Sequence, residues 1–159
     1  MKLIFIRHGQ AHPIKDTDAV RELTAFGRKQ ASSTADWLSV HYQIDLIISS
    51  PYTRAIQTAD IIADKVGSPQ RLQIDGITPD DNPMAGVQAI DEAILQYFDG
   101  KADDKTVAIV CHMPIISSMV AILDGNTPTY FDLAACSVLD AMVVAPEYAK
   151  QINRFIPSQ

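Results

Sequence analysis

The chain has 159 residues, of which 47% are hydrophobic and 20% charged, and its formal net charge is −6. This composition is typical of a single soluble domain over residues 1–159, which needs no metal or disulfide to fold. The negative charge argues against a general nucleic-acid or acidic-membrane surface, because those surfaces need a broad basic face. No run approaches the roughly 20 apolar residues of a membrane span, and the apolar start is too short for a signal peptide. We therefore expect a cytoplasmic protein.

Apolar runs alternate with helical patterns along the chain, which predicts an α/β domain. Residues 2–7 form the first predicted strand, and an irregular polar loop follows over 8–23. Thr24 is the predicted N-cap of a helix that continues to about Val40. The candidate core positions of this helix are Phe26, Ala31, Ala35 and Leu38.

The second predicted strand covers residues 45–50 and leads directly into a helix. Ser50 is the expected N-cap of this helix and Pro51 its first residue, because proline has no N–H that needs a partner there. Residues 67–69 end the helix. Its apolar residues recur at helical spacing, and they are Ala55, Ile56, Ala59, Ile62, Ala63 and Val66.

Two further strands frame the middle of the chain. A short strand is predicted at 72–74, a turn-rich loop at 77–83 and a helix at 84–98. The next strand, at 106–112, is a nearly continuous apolar run. Such a run is typical of a strand that is buried on both faces of a sheet.

The last third of the chain predicts one more helix and two strands. Pro114 starts the helix, which ends near Gly125. Residues 136–144 form a full strand, and residues 152–156 form an edge strand. No internal repeat or linker divides the sequence, so we expect no domain boundary.

We expect neither a disulfide nor a metal site. Cys111 and Cys136 lie in apolar strands, which suits small buried thiols. His12 follows His8 by four residues, a spacing that suits metal ligation on a helix. The glycine after His8 and the proline after His12 disfavour a helix, and no cysteine or carboxylate cluster completes a ligand set. We therefore expect no cofactor, and we place His12 at a pocket rim.

Three predicted strand ends carry similar chemistry. Arg7 and His8 follow the first strand, Arg54 follows the second, and His112 ends the apolar strand at 106–112. Ligands of an open α/β sheet gather beyond the carboxyl ends of its strands, so these side chains are expected in one pocket. Two arginines and two histidines suit a compact dianion such as phosphate, because guanidinium groups match phosphate oxygens and keep their charge. The helices that follow the second and third of these ends would add positive N-termini.

His8 is the candidate nucleophile. A neutral imidazole that is held at one nitrogen can attack phosphorus with the other. Transfer to His8 gives a phosphohistidine, and attack by water then releases inorganic phosphate. We expect Gly9 to leave room for the phosphoryl group, and Arg7, Arg54 and His112 to stabilise charge on its equatorial oxygens.

Four segments in this order resemble the histidine phosphatase superfamily, which carries Arg-His-Gly at the end of its first strand. They are RHG at 7–9, RELTAFG at 21–27, SSPYTRAIQTA at 49–59 and HMP at 112–114. The resemblance implies a phosphoglycerate mutase-like fold, a single-domain three-layer α/β/α sandwich with a mostly parallel central sheet. The small size, the RELT segment and His-x-Pro are most similar to SixA-type phosphohistidine phosphatases. Those members act on phosphohistidine in phosphorelay or related phosphotransfer proteins.

The resemblance also implies roles for individual residues by position. His8 corresponds to the nucleophile, Arg7 and Arg54 to the phosphate clamps, and His112 to the second catalytic histidine. Arg21 matches an arginine that some short members of the family place near the mouth of the pocket. Arg7, Gly9, Arg21, Arg54 and His112 together form the expected substrate-binding set.

The family resemblance is incomplete at the proton donor. Phosphomonoesterases and mutases of the family carry an acidic donor after the second catalytic helix, where this chain has only Asp80 and Asp81. Phosphohistidine needs a strong acid less, because its protonated ring leaves as neutral imidazole. We therefore expect a metal-independent phosphatase that acts on phosphohistidine in a signalling protein. The alternatives are a phosphatase of small phosphate monoesters that uses Asp80 or Asp81, and a non-catalytic phosphate-binding module.

Overall fold

A computed structural model describes all 159 residues of the chain. Six strands form one sheet, and they are β1 (Lys2–Arg7), β2 (Leu46–Ser49), β3 (Gln70–Gln73), β4 (Thr106–Cys111), β5 (Cys136–Ala141) and β6 (Ala149–Phe155). Their order across the sheet is β3-β2-β4-β1-β5-β6. The first four of these are mutually parallel, whereas β5 and β6 run antiparallel to their neighbours. The predicted mostly parallel α/β sheet is confirmed.

Four α-helices cover the two faces of the sheet, and they are α1 (Ala25–His41), α2 (Thr53–Lys65), α3 (Pro83–Tyr97) and α4 (Ile115–Asp124). α1 packs against α2, and α3 packs against α4. Successive strand residues point to opposite faces, so Ile4 and Ile6 join the core under α1 and α2. Leu3 and Phe5 join the core under α3 and α4. None of these helices has both the length and the apolar character needed to cross a membrane.

The buried face of α1 is more polar than the sequence predicted. The expected cap is confirmed, because the Thr24 side chain accepts the backbone N–H of Gly27. Phe26 was expected in the core but is 38% exposed. Gln30 and Thr34 are buried instead, because Gln30 accepts an N–H from the loop after β1 and Thr34 donates to the chain before β5. Polar contacts to loops therefore replace apolar packing at these two positions.

α2 begins later than Ser50 and Pro51 predicted. Its first residue is Thr53 and its N-cap is Tyr52. The backbone N–H of Ser50 still donates to β4, which extends the sheet by one residue. The Ser50 hydroxyl accepts the N–H of Tyr52 at 3.2 Å, so a turn separates the strand from the helix.

The last two strands form a hairpin whose limits differ from the prediction. β5 ends at Ala141, three residues before the predicted limit, and β6 begins at Ala149. Met142 and Val143 belong to the connecting turn and are 74% and 46% exposed. The apolar run therefore continues beyond the strand, and hydrophobicity alone misplaced its end. Cys136 in β5 and Cys111 in β4 are free, buried thiols, as predicted.

Candidate active site

The carboxyl ends of β1, β2 and β4 meet at one edge of the sheet. Arg7 ends β1 beside Cys111 of β4, so His8 and His112 follow from neighbouring strands. The ring centroids of these two histidines lie 5.1 Å apart. Arg54 is the second residue of α2, and its Nε lies 3.1 Å from His8 Nε2. The structure thus brings together the four residues that the sequence predicted at one site.

Both ring nitrogens of His8 have partners. Nδ1 lies 2.7 Å from the carbonyl oxygen of Gly9, which is an acceptor only, so Nδ1 carries the proton of the neutral ring. Nε2 therefore holds the lone pair, and it accepts a hydrogen bond from Arg54 Nε. Burial, with the positive charges of Arg54, Arg7 and Arg21, lowers the pKa of His8 to about 3. The result is a neutral imidazole whose bare nitrogen faces an arginine.

His112 is fully buried beside His8. Its Nε2 lies 2.7 Å from the Ser50 hydroxyl, whereas its Nδ1 is buried without any hydrogen-bond partner. Burial and the positive charge that His8 would carry lower the pKa of His112 to about 2, with a smaller effect of Arg54. The ring of Tyr52 packs edge-on against this imidazole. Buried nitrogens nearly always have a hydrogen-bond partner, so the unpaired Nδ1 indicates that a ligand atom binds there.

Arg7 is the last residue of β1 and directly precedes His8. Its Nη1 donates to the Tyr130 hydroxyl at 2.8 Å and to the Phe131 carbonyl at 2.7 Å. Its Nε is buried and has no partner. Arg7 Nε and His112 Nδ1 are the two buried side-chain atoms without a hydrogen bond in this chain, and both belong to this site. This pair of atoms suits an anion with several oxygens.

Asp18 is a site residue that the sequence reasoning missed. Arg54, which is 3% exposed, donates from Nη1 to the Asp18 backbone carbonyl and from Nη2 to its carboxylate at 3.0 Å. Arg21 donates from Nη1 to the other carboxylate oxygen at 3.0 Å. Partial burial acts to raise the pKa of Asp18, but the hydrogen bonds from Arg21 and Arg54 lower it overall. The available signal was an acidic residue three positions before Arg21 in the polar loop.

Arg21 lies at the edge of the site. Its Nε donates to the backbone carbonyl of His12 at 2.6 Å, which ties two parts of the loop after β1 together. Its side chain is 25% exposed, and it reaches Arg54 only through the shared carboxylate of Asp18. The role at the pocket mouth that the family resemblance implies for Arg21 stays a prediction.

Gly9 packs closely against the first turn of α1, and the expectation that it leaves room for a phosphoryl group stays a prediction. A Cβ at Gly9 would lie 2.4 Å from the carbonyl oxygen of Gly27, and a Cβ at Gly27 would lie 2.0 Å from the carbonyl of Gln10. The N–H of Gly9 donates to the Thr58 hydroxyl at 3.1 Å. The glycine therefore lets the loop after β1 lie against the first turn of α1. It also orients the carbonyl that holds His8.

The two candidate proton donors, Asp80 and Asp81, lie in the turn before α3. Asp80 is exposed. The carboxylate of Asp81 accepts from the Thr78 backbone at 2.8 Å and from the Thr78 hydroxyl at 2.6 Å, so it closes the turn before α3. Neither aspartate forms a hydrogen bond or ion pair with the histidines or arginines of the site. A proton-donor role for either residue stays a prediction.

Comparison with known proteins places this chain in a family. The family model of the histidine phosphatase superfamily (branch 1) matches residues 3–76, which include Arg7, His8 and Arg54. The phosphohistidine phosphatase SixA homolog of Haemophilus influenzae is 31% identical over 137 residues, covering 79% of this chain and 79% of that protein. The chain belongs to the histidine phosphatase superfamily. Phosphohistidine phosphatase SixA of Escherichia coli is 29% identical over 137 residues, covering 85% of this chain and 82% of that protein.

The same family likeness holds for the fold. A solved structure of the protein histidine phosphatase SixA complexed with tungstate has a TM-score of 0.85 and 23% identity, and the match covers 99% of this chain and 97% of that one. The predicted phosphoglycerate mutase-like fold is therefore confirmed. The predicted family is confirmed as well, and the chain is a SixA-like hydrolase of the histidine phosphatase superfamily.

Proposed function

We propose that this histidine phosphatase hydrolyses phosphohistidine through a phosphohistidine intermediate on its own His8. The observation that carries the proposal is the neutral His8 ring, whose Nδ1 is held by a carbonyl while Nε2 keeps its lone pair beside Arg54. The similarity to phosphohistidine phosphatase SixA of Escherichia coli and to the SixA homolog of Haemophilus influenzae supports the choice of substrate. The substrate we propose is a histidine of a phosphorelay or other phosphotransfer protein.

In the first step, His8 Nε2 attacks the phosphorus of the substrate. The phosphorus–nitrogen bond breaks as the new bond forms, and its electron pair stays on the leaving nitrogen. The leaving ring departs as neutral imidazole when its other nitrogen is protonated, so the enzyme needs no strong acid. His8 keeps its Nδ1 proton, and the Gly9 carbonyl at 2.7 Å stabilises the positive ring that forms.

In the second step, water attacks the phosphorus of phosphorylated His8. The bond to Nε2 breaks, the lone pair returns to Nε2, and inorganic phosphate leaves with the atoms of the water. The same groups assist both steps because the transferred phosphoryl group stays in one place. The unpaired donors Arg7 Nε and His112 Nδ1, together with Arg54, stabilise charge on its equatorial oxygens.

The two guanidinium groups differ in how far they are already engaged. Arg54 donates to His8 and twice to Asp18, whereas the Nε of Arg7 is free. The edge of Arg54 that carries Nε and Nη2 faces both His8 Nε2 and the Asp18 carboxylate. A phosphoryl group on His8 and the Asp18 carboxylate would therefore accept hydrogen bonds from the same edge of Arg54. We propose that Arg7 binds the anion first and that Arg54 shifts part of its bonding from Asp18 to the phosphoryl oxygens.

The first test compares turnover of a phosphorylated phosphotransfer domain with turnover of small phosphate monoesters. We expect faster release of inorganic phosphate from the phosphoprotein than from the esters. We also expect an acid-labile phosphoenzyme, which can be trapped when the phosphoryl group of the substrate is labelled. His8→Ala is the inactive variant, and His41→Ala is the matched control, since His41 lies at the far end of α1. A preference for one ester would redirect attention to Asp80 and Asp81. Phosphate binding without any turnover would make the chain a binding module.

We further propose that the reaction needs no metal ion. The chain brings together no group of three or more His, Cys, Asp or Glu side chains suited to hold one. Arginines and neutral histidines supply the charge stabilisation that a metal would otherwise give. We expect turnover to be unchanged after exhaustive chelation. Loss of activity that a divalent ion restores would contradict this proposal.

A further inference from the structure

We propose that Ser50 is a positioning residue that fixes which ring nitrogen of His112 carries the proton. Ser50 is fully buried directly after β2, and its Oγ lies 2.7 Å from His112 Nε2. Its hydroxyl forms no hydrogen bond with His8, Arg7 or Arg54, and its contact with the site residues is the one with His112. The inference rests on the proposed function, in which His112 donates a hydrogen bond to the phosphoryl group.

The direction of this hydrogen bond follows from what else Ser50 contacts. A hydroxyl has one proton to donate and two lone pairs that accept. One lone pair accepts the backbone N–H of Tyr52 at 3.2 Å. The hydroxyl proton has no acceptor other than His112 Nε2, and a buried hydroxyl proton without a partner is unfavourable. Ser50 therefore donates to Nε2.

The proton of the neutral ring then sits on Nδ1. A neutral imidazole carries one N–H, so a hydrogen bond accepted at Nε2 leaves the proton at the other nitrogen. His112 Nδ1 is the buried atom without a partner, and it becomes a donor for a phosphoryl oxygen. The opposite tautomer would turn a lone pair toward that negative oxygen. Ser50 thus decides whether His112 attracts or repels the substrate.

The turn before α2 couples this proton position to the backbone. Ser50 donates its own N–H to the carbonyl of Val110 in β4, two residues before His112. Its hydroxyl bonds the N–H of Tyr52, whose ring packs against the His112 imidazole. The sheet and the start of α2 therefore hold Oγ in place relative to the ring. Such a fixed donor is what tautomer selection requires.

The decisive measurement is the tautomer of His112 in the wild-type protein. Nitrogen-15 NMR with long-range proton correlations distinguishes a protonated ring nitrogen from a bare one. We expect His112 to be protonated at Nδ1 and bare at Nε2. A proton on Nε2, or a mixture of both forms, overturns the proposal. This result does not depend on any turnover, so it stands apart from the proposed function.

Variants of Ser50 test the consequence for the site. Ser50→Ala removes the donor, and we expect His112 to lose its single tautomer while His8 keeps its own. The loss of one oriented donor should weaken competitive inhibition by inorganic phosphate and lower kcat by about 10- to 100-fold. Ser50→Thr keeps the hydroxyl and should keep both the tautomer and most of the rate. Ser49→Ala is the matched control, because that buried serine forms no side-chain hydrogen bond with either histidine.

The outcomes separate the two proposals. An unchanged tautomer, phosphate affinity and rate in folded Ser50→Ala overturn the role of Ser50. If the wild type hydrolyses no phosphohistidine substrate, the proposed function fails. The tautomer of His112 and the phosphate affinity of Ser50→Ala still decide the role of Ser50 in that case.

Discussion

The two histidines of the site carry their proton on the same nitrogen but present opposite nitrogens to the ligand. Behind His8, the Gly9 carbonyl accepts from Nδ1 and leaves the bare Nε2 facing Arg54. Behind His112, in our assignment, the Ser50 hydroxyl donates to Nε2 and leaves the Nδ1 proton free. A hydrogen-bond acceptor behind the ring leaves a bare nitrogen that can act as a nucleophile. A hydrogen-bond donor behind the ring leaves an N–H that can donate to the ligand. The supporting group therefore decides the role, since both rings are buried and neutral.

The largest loss of activity should follow removal of the nucleophile. His8→Ala is expected to lower kcat by at least about 10⁴-fold, because the covalent route disappears. No phosphoenzyme should be trapped in this variant. Rapid-quench assays with labelled phosphoprotein measure both kcat and the amount of phosphoenzyme, and His41→Ala is the control variant. Residual activity within about tenfold of wild type would remove His8 as the nucleophile.

Removal of the other histidine should be less damaging and different in kind. His112→Ala loses one donor to the phosphoryl oxygens, which should lower kcat by about 10²- to 10³-fold. His8 remains, so a labelled phosphoenzyme should still form, only more slowly. Single-turnover measurements separate its formation from its hydrolysis. The comparison between the histidines fails if this variant forms no phosphoenzyme at all.

Arg54 links the bare nitrogen of His8 to the acidic residue Asp18, so its geometry matters as well as its charge. Arg54→Lys keeps the charge but cannot bond His8 and Asp18 at once, as Nε, Nη1 and Nη2 do. We expect kcat/KM to fall by about 10²-fold, in the range for a lost charge-assisted contact. Arg28→Lys on the exposed face of α1 is the matched control. Near-normal kinetics in Arg54→Lys would remove the clamp role.

The sequence predicted the elements that carry the site because strand ends and helix caps are local signals. RHG follows an apolar run, and the Thr24 cap and the buried strand β4 were read from neighbouring residues alone. The contact between Arg54 and Asp18 joins residues 36 apart in sequence, and that between His112 and Ser50 joins residues 62 apart. No local pattern encodes such pairs. Ser50 also had a sufficient local explanation as a helix cap, which hid its contact with His112.

The loop that holds His8 should be sensitive to one added methyl group. Gly9→Ala places a Cβ 2.4 Å from the Gly27 carbonyl, so the backbone on one side must move. Overpacking of this kind should lower the free energy of unfolding by about 1–3 kcal/mol and displace the carbonyl behind His8. Gly27→Ala, with its Cβ 2.0 Å from the Gln10 carbonyl, should be destabilising as well. Urea denaturation measures both, and wild-type stability in Gly9→Ala would contradict the packing role.

The two histidines also share a property, their neutrality. Their pKa values in the folded protein are about 3 for His8 and about 2 for His112, against 6.5 for an ordinary histidine. The unfolded chain therefore takes up protons below about pH 6.5 that the folded chain does not, and stability must fall as the pH is lowered. Each histidine should contribute a slope of about 1.4 kcal/mol per pH unit between about pH 6 and pH 4. Urea denaturation across this range measures how the free energy of unfolding changes with pH. We expect this slope to fall by about 1.4 kcal/mol per pH unit, which corresponds to one proton, in His8→Ala and in His112→Ala. His41→Ala should keep the wild-type slope. Equal slopes in all four proteins would mean that both rings titrate in the fold as they do in the unfolded chain, and the distinction between a bare nitrogen and a donor would then not hold.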